Sequence, residues 1–231
     1  MRPSSSTTRR RATSDCATAL FFLAFLAGAG QAAGAQVAAT VTDQGGHPLA
    51  DAVVVAVPVQ GAPPTVQPAG RDIVDQIGQE FVPYVKPILV GSAVFFPNKD
   101  NIRHQVYSFS PAKQFELPLY AGTPAKPIVF DKPGVVALGC NIHDWMIGYI
   151  YVSESPYFAK TGADGTARLN DLPARNYEVR VWHPRLQGPE AATQRPADLT
   201  ADGRAELSWK LSLKPDTRIR RAPVPGAHRQ Y

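Results

Sequence analysis

The chain has 231 residues, room for one or two small globular modules, and a formal net charge of +5. Residues 1–35 hold four arginines against one aspartate, so the remainder carries only about +2. Most of that sits in Arg218, Arg220, Arg221 and Arg229 at the end of the chain; the body is nearly neutral, and its charge makes no case for nucleic-acid binding. With 22 prolines and 18 glycines spread along the sequence, many short strands and turns are expected rather than long helices.

Residues 1–35 read as a secretory signal. Arg9, Arg10 and Arg11 form a positive start, Ala17 to Gly30 is an apolar stretch, and Ala33-Gly34-Ala35 has the small-x-small form of a cleavage site, giving a mature start near Gln36. An uncleaved membrane anchor is the competing reading, but the run is short for a span of about 20 residues. A periplasmic or otherwise exported, soluble protein is therefore expected, with no membrane span after signal removal. Cys16 leaves with the signal, so Cys140 is alone and no internal disulfide can form. A lone thiol in an oxidising compartment is a liability unless it is buried or held by a metal.

After the signal, residues 36–58 show two β-branched runs around Asp43-Gln44-Gly45-Gly46, which predicts a hairpin. Residues 59–69 are a Pro-rich linker. Strands are expected over Phe81–Val90, Gly91–Phe96, His104–Phe109, Lys126–Phe130, Val135–Gly139 and Ile147–Val152, and then over Thr166–Leu169, Tyr177–Trp182 and Ala205–Leu213. No segment has a helical period of useful length. Residues 216–231 read as a disordered basic tail. The fold class is all-β.

The chemistry concentrates in Gly139-Cys140-Asn141-Ile142-His143-Asp144-Trp145-Met146, where a thiol, an imidazole and a thioether fall within seven residues directly after a strand. A second imidazole, His104, opens a strand 36 residues upstream. Soft sulfur with two imidazoles suits copper, and a Cys-His-His plane with a long axial Met is the geometry of electron-transfer copper. His47, His183 and His228 are scattered, and no paired carboxylates or Ser-His-Asp arrangement stands out.

Over roughly residues 70–153 the sequence resembles the cupredoxin family. The resemblance is carried by Phe81-Val82-Pro83, by Val94 to Asp100, by His104-Gln105-Val106, by Phe130 to Gly134, by the Cys-x2-His-x2-Met loop and by Gly148 to Val152. The loop spacing is most similar to that of amicyanin, and similar exported proteins bear the label methylamine utilization protein. The resemblance implies a Greek-key β-sandwich holding one type 1 copper ion, with His104, Cys140, His143 and Met146 as ligands. It also implies a departure, since Gln105 stands where many cupredoxins place Asn after the first ligand His. The flanking pieces, 36–69 and 154–215, resemble two halves of a carboxypeptidase regulatory-like (prealbumin-like) β-sandwich. That likeness rests on Pro48 to Ala52, Lys160 to Gly165, Leu172-Pro173 and Tyr177-Glu178-Val179.

What the resemblance implies is an exported electron carrier rather than an enzyme, passing single electrons to redox proteins such as a c-type cytochrome or a dehydrogenase. Copper delivery without redox turnover uses the same ligands, and a structural β-sandwich binding module is the third reading. Copper nitrite reductases and multicopper oxidases need a further centre rich in histidine, and this chain has no His-x-His motif.

Overall fold

The computed structural model describes residues 34–68, 70–124, 126–200 and 203–216. The segment read as a secretory signal and the basic tail lie, apart from their inner edges, outside these residues. The described chain is all-β. Its strands are β1 (Ala35–Asp43), β2 (Val53–Pro58), β3 (Asp72–Ile73), β4 (Asp75–Ile77), β5 (Glu80–Val82), β6 (Val85–Leu89), β7 (Ala93–Phe95), β8 (His104–Ser110) and β9 (Lys113–Tyr120). They continue as β10 (Ile128–Val129), β11 (Gly134–Gly139), β12 (Ile147–Ser153), β13 (Phe158–Lys160), β14 (Thr166–Leu172), β15 (Asn176–Trp182), β16 (Arg195–Asp198) and β17 (Arg204–Leu211), with one short 3-10 turn at Glu190–Thr193. No described helix is long and apolar enough to cross a membrane.

The first and last strands build one sandwich. One sheet runs β14-β1-β17, the other β13-β2-β15-β16. Val37, Ala39 and Val41 of β1 meet Val54 and Ala56 of β2, Val179 and Val181 of β15 and Trp209 of β17 in a single apolar core. Strand β1 alternates buried and open positions, as period-two side-chain geometry requires of a strand with one covered face. The hairpin expected over 36–58 does not form. The chain does turn back at 43–47, where Asp43 N–H donates to the His47 carbonyl, but β1 and β2 then part into opposite sheets. Each finds its partners far along the sequence: β1 pairs β14 and β17, and β2 pairs β13 and β15.

The middle of the chain forms the second sandwich. A five-stranded sheet ordered β6-β12-β11-β8-β9 covers a smaller one ordered β10-β7-β3, with the β4–β5 hairpin beside them. Val94, Phe96, Val106, Phe130, Val136, Leu138 and Ile150 fill its core, and Cys140 and Met146 belong to the same cluster. The polypeptide leaves the first sandwich at Pro58 and returns at Phe158, and these ends are neighbours because Phe158 pairs with Val55. Close ends let a long segment intervene without disturbing the sheet it interrupts.

A third apolar cluster joins the two sandwiches. Val53 and Val55 of β2 pack with Val85, Tyr151 and Trp182, with Tyr84 and Tyr149 alongside. Strand β2 therefore buries both faces, which explains its unbroken valine run. Strand β12 does the same: Ile150 and Val152 face the middle core while Tyr151 faces the joint. At the joint's rim the Tyr151 hydroxyl donates to Glu190, which also accepts from Arg180, and Arg180 reaches Glu154.

Gly165 has φ +72, and a Cβ there would lie 2.5 Å from the Val41 carbonyl oxygen, which is backbone and cannot swing aside. Gly165→Ala is expected to lower the unfolding free energy by about 3 kcal/mol, read by urea denaturation. The Tyr177 hydroxyl is also committed to the fold. Burial pushes its pKa up to about 12, and the hydroxyl donates to the Pro173 carbonyl at 3.0 Å. The native state thus holds this proton more tightly than the unfolded chain, so the stabilisation is full below about pH 10 and is lost as pH rises through about 12. Tyr177→Phe should flatten that alkaline loss of stability, measured as the urea midpoint against pH.

Candidate metal centre

Pairing between β11 and β8 assembles the site. Gly139 stands opposite Tyr107 in an antiparallel register, which puts Cys140, just past β11, beside the inward-facing start of β8. His104 and Cys140 are both buried. The loop 141–146 then turns tightly, with Met146 N–H donating to the His143 carbonyl at 2.9 Å, and brings His143 back over the sulfur.

The Nδ1 atom of His104 lies 3.9 Å from Cys140 Sγ, and that of His143 lies 4.0 Å from it. The two rings are 5.0 Å apart, centre to centre, and the three donor atoms all lie within 4.8 Å of one another. Separations near 4 Å are long for hydrogen bonds but close to the edges of a coordination triangle. With metal–sulfur and metal–nitrogen bonds of about 2.3 and 2.0 Å, an ion at the centre of a trigonal plane sets sulfur and nitrogen about 3.7 Å apart. The donor set therefore fits a soft metal ion. Met146 is buried and lines, with Cys140, Tyr107, Phe109, Ile147 and Tyr149, an open cleft of about 460 Å³. The sequence reasoning thus singled out three residues that converge and a fourth packed beside them.

The two imidazoles differ in access. His104 is fully buried, whereas His143 is partly exposed, in tilted ring contact with Trp145 at 5.1 Å and flanked by the exposed Ile142. Gln105 points away from the centre, as strand alternation demands, and hydrogen-bonds Glu116 on β9.

Asp100 was not singled out by the sequence as a functional residue, yet it touches a candidate ligand. Its Oδ2 lies 2.8 Å from His104 Nε2. Burial alone would raise its pKa, but N–H donation from Gln79, the His104 ring and N–H donation from Gly78 outweigh that and hold the carboxyl below its usual range. Asn98 shapes the same loop, accepting from Asp100 N–H and donating to the Ile102 and Tyr120 carbonyls. Tyr120, opposite His104 on β9, donates to the Phe96 carbonyl and accepts from the buried Gln76; burial pushes its pKa well above the usual phenol range. An acid four residues before a candidate ligand His is the one local signal that pointed to Asp100.

No protein-family model matches the sequence, and no curated protein matches it. Solved structures do. A copper-containing nitrite reductase from Thermus scotoductus SA-01 is 29% identical over 42% of this chain, with a TM-score of 0.35, and this chain spans 25% of that enzyme's length. A purple cupredoxin from Nitrosopumilus maritimus is 24% identical over 37% of this chain and all of its own, with a TM-score of 0.32. An oxidized point mutant of amicyanin is 16% identical over 43% of this chain and 98% of its own, with a TM-score of 0.34. In each case the likeness takes in less than half of the present chain.

The Tyr107 ring lies against Gly139, the residue before Cys140. A Cβ on Gly139 would fall 2.7 Å from Tyr107 Cζ and 2.8 Å from its hydroxyl. Gly139→Ala should destabilise the protein by about 1–2 kcal/mol, and adding Tyr107→Ala should recover part of that loss, read by denaturant melts of the single and double variants.

Proposed function

We propose that His104, Cys140, His143 and Met146 would together hold one copper ion, and that the protein is an electron carrier. The observation that carries this reading is the convergence of two imidazole Nδ1 atoms at 3.9 and 4.0 Å on the lone cysteine sulfur. Copper held by such a set supplies a one-electron couple with little rearrangement between its two oxidation states.

The chain's own residues set how that couple would be used. His104, Cys140 and Met146 are buried at 0%, 3% and 1% exposure, so three of the four donors present almost no surface to solvent. That favours a resident ion over one loaded and handed on, and hence electron transfer over copper delivery. His143 alone offers a partly open edge, beside Ile142, where a redox partner could approach. We read the partners as exported proteins such as a c-type cytochrome or a dehydrogenase, and residues 1–35 as the signal that sends the chain to them. The flanking strands, in this reading, are a regulatory-like sandwich that carries the copper module.

Purified protein loaded with Cu(II) is expected to turn intensely blue through a sulfur-to-copper charge-transfer band, and Cys140→Ser to lose that band while staying folded. A reversible one-electron wave in voltammetry should accompany it. A colourless loaded protein contradicts the copper assignment; a coloured one without reversible electron exchange contradicts the carrier role and returns the delivery reading.

A further inference from the structure

We propose that Asp100 is a positioning residue for the centre: through His104 it selects which ring nitrogen is offered to the ion and strengthens that nitrogen as a donor. This rests on the copper reading of the same site. A neutral imidazole has one N–H donor and one bare acceptor nitrogen, and the partner of one nitrogen decides the other. Asp100 Oδ2 is 2.8 Å from His104 Nε2, and the carboxylate can only accept there, so Nε2 carries the hydrogen. Nδ1 is left bare, and Nδ1 is the atom that faces Cys140 Sγ.

The carboxylate is itself held from outside the sheet. Gly78 N–H donates to Oδ1 at 2.6 Å and Gln79 N–H to Oδ2 at 2.8 Å. Both residues form the turn between β4 and β5 and have φ +63 and +65, a left-handed pair that aims successive amides at one acceptor. The Asp100 amide is fixed in turn by Asn98 Oδ1 at 3.0 Å. A carboxylate held by two backbone amides, on a main chain that is itself tied to Asn98, cannot follow the ring; the ring must follow it. The pair is largely out of water, with side-chain exposures of 0% for His104 and 15% for Asp100, so the negative charge acts on the imidazole with little screening. Charge drawn toward the Nε2 proton raises the donor strength of Nδ1. A stronger donor favours the more highly charged ion, Cu(II), over Cu(I), and so lowers the reduction potential.

The test pairs two measurements. In metal-free wild-type protein, nitrogen chemical shifts of His104 should show Nε2 protonated and Nδ1 bare; the opposite tautomer overturns the proposal. Asp100→Asn keeps the shape and removes the charge. It should lower the ratio of Cu(II) to Cu(I) affinity by about tenfold, a rise in potential of about 59 mV for one electron. An unchanged ratio in a folded Asp100→Asn protein overturns the proposal, because a residue that merely caps the β4–β5 turn would leave that ratio alone. Should the variant fail to fold, the wild-type tautomer still decides. A wild-type protein that takes up copper without a sulfur-to-copper band sinks the underlying assignment instead, and the tautomer result then stands on its own.

Discussion

The centre depends on one register. Gly139 faces Tyr107 across the β11–β8 pair, and from that match Cys140 and His104 point into the same core. Side chains alternate strictly along a strand, so slipping this pair by a single residue would turn Cys140 toward solvent and leave His104 behind. The register is held by what surrounds it. Val106, Val136 and Leu138 are buried on the same face, and their burial would be lost in the same slip. Hydrophobic packing is thus the agent that brings soft donors together, and the donors add the chemistry.

Once the register is set, the remaining donor side chains need little more than local turns. The loop from Cys140 to Met146 spans two strands that are already paired, and one backbone hydrogen bond closes it over the sulfur. His104 needs more, because a strand-end imidazole can rotate. Its orientation is borrowed from the β4–β5 turn through Asp100. A hairpin with no ligand of its own is therefore part of the site. The joint between the sandwiches adds rigidity on the far side of the sheet, where Tyr151 and Trp182 lock β12 against β2 and β15.

Much of this was legible in the sequence, and the parts that were not share a cause. The Cys-x2-His-x2-Met loop was plain because its donors crowd into seven residues, and the turns flanked by Gly, Pro and Asp marked most strand ends. The false hairpin over 36–58 arose because two β-branched runs about a Gly pair look the same whether they pair or part. The discriminating sign was the run Val53-Val54-Val55, too apolar for a strand with one open face, whose second face is buried against the joint. Strand β9 went unrecognised because Pro118 interrupts an otherwise alternating run of Phe115, Leu117 and Leu119; it survives as an edge strand, where a missing N–H is tolerated. The role of Asp100 was hidden because the amides that fix it come from 21 and 22 residues away.

The claim at the centre of this account is that one cysteine sulfur and two imidazole nitrogens share a single ion. X-ray absorption at the copper edge of the loaded protein measures that shell directly. The account predicts one short sulfur and two nitrogens at bonding distance. A shell of nitrogen and oxygen alone, with no short sulfur, would contradict it.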